Sequence, residues 1–163
     1  MHNYFKFCFS LLLITIFAGC DLSKYPIDDP AVVKIDTRLL GTWSEHKGDL
    51  SETYTLTKKD DFYYTVTEKN KKEKPKKYIA YLSEVEHTRF LNVYCKDEKD
   101  STDGYLFIKI IDLNVAKKTA TAVSIKDSTM KYLTSTAQVR ERITTNLNNP
   151  TFYGDTAYMY KVK

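Results

Sequence analysis

The chain has 163 residues, a formal net charge of +4 and 42% hydrophobic residues, which suits one domain with a single apolar core. So small a charge surplus, with no arginine-rich run, gives no field suited to nucleic acid and excludes that class of partner. Its 13 tyrosines and 8 phenylalanines against 5 glycines tilt the composition toward β-strands.

In chain order the first feature is an apolar run from Phe7 to Ile16, preceded by Lys6 and followed by the small residues Ala18 and Gly19. A membrane-spanning helix needs about 20 apolar residues, so this run is half a span. A basic start, an apolar stretch of this length and small residues before a cleavage point describe a secretory signal peptide. Residues 17–20 read Phe-Ala-Gly-Cys and resemble the lipobox of bacterial lipoproteins, which ends in a small residue and a cysteine that becomes diacylated and N-acylated. The resemblance implies that residues 1–19 are a signal peptide and that Cys20 is the lipid-attachment site, bearing palmitate-type chains. It also implies that the exported protein sits on a membrane of the cell envelope, outer or inner. A plain secretory signal, with Cys20 an ordinary thiol, is the alternative.

Residues 20–37 are polar, contain Pro26 and Pro30 and show neither helical nor strand period, so they read as a tether. If Cys8 leaves with the signal and Cys20 takes lipid, as the resemblance implies, Cys95 is the one cysteine of the mature domain. The fold is therefore expected to stand without disulfides.

From Leu39 onward the pattern alternates. Strands are predicted at 40–47, 51–58, 62–69, 76–86, 88–96, 104–113, 118–126 and 156–162, each bounded by polar turns. In the second, Tyr54 and Leu56 alternate with threonines; in the third, Tyr64 and Val66 do; in the fifth, Leu91, Val93 and Cys95 share a side. Each has one buried face. The sixth is apolar on both faces, with Leu106, Ile108 and Ile110 against Tyr105, Phe107 and Ile111, so something must cover its outside. Residues 135–147 supply a candidate: Val139, Ile143 and Leu147 form a helical stripe, Ser135 with Gln138 fits a capping box, and Asn148-Asn149-Pro150 ends the helix. The same stripe could instead dock a partner.

Gly41-Thr42-Trp43, behind Leu39-Leu40 at the start of the first strand, resembles the Gly-x-Trp opening of the lipocalin superfamily and of small lipocalin-like domains in bacterial lipoproteins. The resemblance implies that residues 38–163 form an all-β, eight-stranded antiparallel up-and-down barrel whose closed end is plugged by Trp43, with one helix before the last strand. Lipocalins stack an arginine from the last strand on that tryptophan, and here the last strand offers Lys161. Their helix follows eight strands, whereas this one precedes the eighth. A core tryptophan of any small β domain is the alternative for Trp43.

Loop lengths fit such a barrel. Connections after the second, fourth and sixth strands are short, while those after the third and fifth, 70–75 and 97–103, are long and share the other end. Lys69, Lys71, Lys72, Lys74, Lys76 and Lys77 make one tip basic, and Asp97, Glu98, Asp100 and Asp103 make the other acidic. The basic tip reads as a solvated hairpin end or as a contact for anionic headgroups or polysaccharide. The acidic one lacks the ligand spacing of an EF-hand loop. His46 and His87 fall at opposite barrel ends, and no nucleophile elbow, HExxH or phosphate loop occurs. Neither an enzyme nor a cofactor is expected. The expected function is a lipid-anchored envelope protein holding a small apolar ligand among Trp43, Tyr54, Leu56, Tyr64, Val66, Leu91 and Val93. The alternative is a structural or protein-interaction lipoprotein with a filled barrel and exposed Tyr153, Tyr158 and Tyr160 as its docking face.

Overall fold

The computed structural model describes residues 22–96 and 103–162; Cys20 and most of the acidic tip lie outside them. Eight strands pair in sequence order: β1 (Gly41–Ser44), β2 (Glu52–Lys58), β3 (Tyr63–Asn70), β4 (Lys76–Val85), β5 (Thr88–Cys95), β6 (Gly104–Asn114), β7 (Thr119–Ile125) and β8 (Tyr153–Lys161). Each is antiparallel to the next, and β8 returns to β1 to close an up-and-down barrel. The helix α1 (Thr136–Thr145) precedes the last strand, with Ser135 Oγ accepting from the Gln138 amide at its start.

The threonine alternation sets the register. Leu56 faces Val66 inside the barrel, while Thr55 faces Thr67 and Thr57 faces Thr65 outside, where β-branched side chains suit the pleat. Two boundaries differ from expectation. β1 stops at Ser44 because the chain turns over His46 to Asp49, with Gly48 at φ +80°. β8 begins at Tyr153 rather than 156, because Gly154 serves as a close approach: a Cβ there would lie 3.3 Å from Ser124 Oγ.

A second core lies outside the sheet. Phe90 of β5, Phe107 of β6 and Ile125 of β7 pack with Val139 and Ile143 of α1 and with Phe152. The doubly apolar pattern of the sixth strand is thereby explained: Leu106 belongs to the barrel interior and Phe107 to the layer beneath the helix. Ile111, expected under the same cover, is 52% exposed, since the β6–β7 ladder shifts register between Ile110 and Asp112.

The segment expected as a tether lies along the barrel wall from Leu22 onward. Ser23 exchanges both backbone hydrogen bonds with Tyr105 of β6, at 3.1 and 2.7 Å. Ile27 is fully buried and donates its amide to Asn92 Oδ1 at 3.0 Å. The Tyr81 hydroxyl donates to the Asp28 carbonyl, and Arg140 of α1 donates to the Asp28 carboxylate at 2.6 Å. Val33 bridges Leu82, and the Asp36 amide reaches the Tyr64 hydroxyl. The segment stays down because Ile27 completes the outer core and buried side chains receive its backbone groups.

Candidate ligand cavity

The barrel floor is built from the residues just before β1. A 3₁₀ turn at Thr37–Leu39 pushes Leu39 into the interior, and Trp43 Nε1 donates to the Leu39 carbonyl at 2.8 Å. Lys161 Nζ stands 5.3 Å from the Trp43 ring centroid and donates to the Arg38 carbonyl at 3.0 Å. The last strand thus supplies a cation over the tryptophan at the place where the resemblance implied an arginine. Beside it the Tyr64 hydroxyl accepts from the Asp36 amide at 2.6 Å, and burial pushes this phenol up to about 12. Hydrogen bonds from Arg38, with Arg89 at 2.7 Å, hold the Asp36 carboxyl below the usual carboxylate range against the opposing effect of burial.

Above this floor the interior is not filled. A cavity of about 250 Å³ runs up the barrel, lined by Trp43, Tyr54, Leu56, Val66, Leu91 and Val93 among others. These are six of the seven residues read from the sequence as cavity candidates. Tyr64, the seventh, does not line it: β3 starts at the closed end, so the first inward ring of that strand is sealed into the floor against Asp36.

The opposite wall is made of small residues. Ala120, Ala122, Gly154 and Ala157 form it on β7 and β8, and their small size leaves the space that the aromatic side of the barrel does not reach. The signal was present as Thr119-Ala120-Thr121-Ala122, an alternation whose inward members are alanines.

The open end is polar. Glu45, Lys126 and Asp155 border the cavity there, with the hydroxyl residues Tyr54 and Tyr78 below them. The Tyr78 hydroxyl donates to Glu68 Oε2 at 2.7 Å. Burial pushes the Glu45 carboxyl up, with Glu52 adding to the effect and His46 opposing it. Burial also raises the Tyr54 phenol, helped by Glu68, Glu52 and Glu45. An apolar barrel with charged groups only at its rim offers a molecule an apolar body site and a wet end.

His46 lies in the β1–β2 connection and His87 in the two-residue β4–β5 turn, where Glu86 and His87 both take positive φ, so they sit at opposite ends of the barrel. Lys71, Lys72 and Lys74 project from the β3–β4 hairpin at the open end, and Lys76 pairs with Glu73 at 2.9 Å. The three tyrosines expected as a docking face differ in exposure, and Tyr160 is half-buried. Tyr158 is 63% exposed, but Tyr153 is half-buried, with its hydroxyl on the Leu147 carbonyl and Lys109 over its ring. Cys95 is a half-buried thiol at the end of β5. No family model, no curated protein and no solved structure matches this chain.

Proposed function

We propose that this chain is an exported, lipid-anchored envelope protein whose lipocalin-like barrel binds a small apolar ligand. The observation that carries the binding half is the unfilled interior. An eight-stranded barrel either fills with its own side chains or keeps room for one small molecule, and here alanines on one wall leave about 250 Å³ of apolar space. Rim groups at Glu45, Lys126 and Asp155 suit the polar end of such a ligand.

The anchoring half rests on the lipobox at residues 17–20 and its acceptor Cys20. Two or more acyl chains hold a protein to a membrane, where one myristoyl-length chain does so only marginally. Two measurements test the halves separately. Cys20→Ser is expected to release the protein into the soluble fraction, and retention of that variant through a high-salt wash refutes the anchor. Native mass spectrometry of the detergent-extracted wild type is expected to show an added small-molecule mass. A bare protein mass, together with no uptake of apolar dyes, refutes the ligand and leaves a structural lipoprotein.

A further inference from the structure

The wall segment that precedes the barrel runs from one of its ends to the other. Asp36 lies under the floor with Tyr64 and Arg89. Ser23 lies at the open end, where it pairs with Tyr105 next to the first residue of β6. At that height β6 has no partner from β7, whose first pair with it is Ile108 to Ser124, and Ser23 takes the vacant side. Gly104 makes the contact possible: a Cβ there would lie 2.7 Å from Leu22 Cβ and 2.8 Å from the Ser23 carbonyl oxygen. Leu22 itself packs against the barrel core. The chain is therefore held by main-chain hydrogen bonds and a close backbone contact at the level of the cavity mouth.

Cys20 is two residues before Leu22. Two extended residues reach about 7 Å. If Cys20 carries the acyl chains, as proposed above, the mouth end stays within that reach of the bilayer surface and the floor end points away. The same end presents Lys71, Lys72 and Lys74 on the β3–β4 hairpin, all exposed. Glu73 of the same hairpin pairs with Lys76, so the strap sets the orientation and Lys71, Lys72 and Lys74 supply the contact.

We propose that the barrel stands mouth-down on an anionic lipid surface, with the β3–β4 hairpin against the headgroups and the cavity opening toward the bilayer. The seam supports this direction. β1 and β8 share two pairs, Trp43 with Lys161 and Ser44 with Tyr160, and beyond them Glu45, Asp155 and Ala157 border the cavity. An apolar molecule leaving the membrane meets this opening without crossing bulk water.

The inference rests on the anchored reading, and one experiment separates the two. The full-length lipoprotein carrying Cys95→Ser is purified with a single added thiol, either Lys72→Cys at the hairpin or Asp60→Cys in the β2–β3 turn at the floor, and each thiol is labelled with a fluorophore. The labelled proteins are reconstituted on vesicles of phosphatidylethanolamine and phosphatidylglycerol containing a headgroup-attached nitroxide. The expected result is co-flotation with the vesicles and quenching several-fold stronger at position 72 than at 60. Flotation with equal quenching, or with stronger quenching at 60, overturns the orientation and leaves the anchor standing. Loss of flotation overturns the anchored reading and this inference with it.

Discussion

Removing the indole of Trp43 tests whether the floor is a structural plug. The side chain is 5% exposed, and truncating a buried tryptophan to alanine costs about 3 to 5 kcal/mol. One face of the ring borders the cavity and makes fewer contacts than a fully enclosed core residue, which favours the lower end of that range. The hydrogen bond acts in the other direction. Trp43 Nε1 satisfies the Leu39 carbonyl at 2.8 Å, and a buried acceptor left unpaired costs about 1 to 3 kcal/mol. The two corrections oppose each other, so Trp43→Ala is expected to destabilise by about 4 kcal/mol. Trp43→Phe keeps most of the ring and loses the N–H, for a cost of about 1 to 3 kcal/mol. Lys161→Met removes the cation over the ring, worth about 0.5 to 1 kcal/mol at a partly exposed site.

The assay is equilibrium urea unfolding followed by circular dichroism, because Trp43 is the only tryptophan and its fluorescence disappears with it. A shift in midpoint at constant slope converts directly to a stability change. The reasoning also fixes an order: alanine costs most, phenylalanine less, and Lys161→Met least. A loss below about 1 kcal/mol for Trp43→Ala would place it outside the range for a buried ring and refute the plug.

Other consequences follow from the same geometry. Asn92 is fully buried and latches the N-terminal strap by accepting from the Ile27 amide while donating to Ser83 Oγ at 2.8 Å; Asn92→Ala is expected to cost about 2 to 3 kcal/mol, chiefly by leaving that amide unpaired. Hydrogen exchange should then speed up at strap amides such as Ser23 and Ile27 while barrel amides stay protected, and unchanged strap protection would refute the latch. The Asp36 carboxyl is held below its ordinary pKa by Arg38 first and then Arg89. Its contribution is thus fully present above the unfolded carboxylate value of about 3.9 and fades as pH falls through the lower folded value. Asp36→Asn should flatten the fall in stability below about pH 4, and an unchanged acid limb would show that Asp36 does not govern it. Ala122 lines the small-residue wall, so Ala122→Leu is expected to fill the cavity, keep the fold and abolish uptake of 1-N-phenylnaphthylamine. Unimpaired uptake by a folded variant would move the ligand site elsewhere.

The barrel was legible because its strands carry their burial in the sequence. Tyr54 and Leu56 alternate with Thr55 and Thr57, which the structure places outside, and period two has only one reading in a strand. The outer layer was half legible: Phe107 beside Leu106 announced a strand covered on both faces, and the stripe of Val139 and Ile143 supplied its cover. Two misreadings have physical causes. A bulge carries no pattern of its own, so alternation puts Ile111 on the covered face although the register shift beside Ile110 turns it to solvent. Alternation tells which face Tyr64 takes and not its height along the strand, so it assigns to the cavity a residue that belongs to the floor.

The strap was illegible for a deeper reason, and it bears most on function. Ile27, Val33 and Ile35 have no period because the segment crosses strands instead of running in one: it meets β6 at Tyr105, β5 at Asn92, β4 at Tyr81 and Leu82, and the floor at Tyr64. Each crossing offers one or two anchor points, met by a main-chain pair, an amide side chain or a phenol, and none leaves a repeating signature. A polar segment with two prolines therefore reads as free chain even when its backbone groups are satisfied one by one. The consequence is geometric. A free tether of this length would let a barrel tumble above a membrane, whereas a strap held from Ser23 to Asp36 means that lipid on Cys20, if it is attached there as proposed, fixes which end of the barrel meets the bilayer.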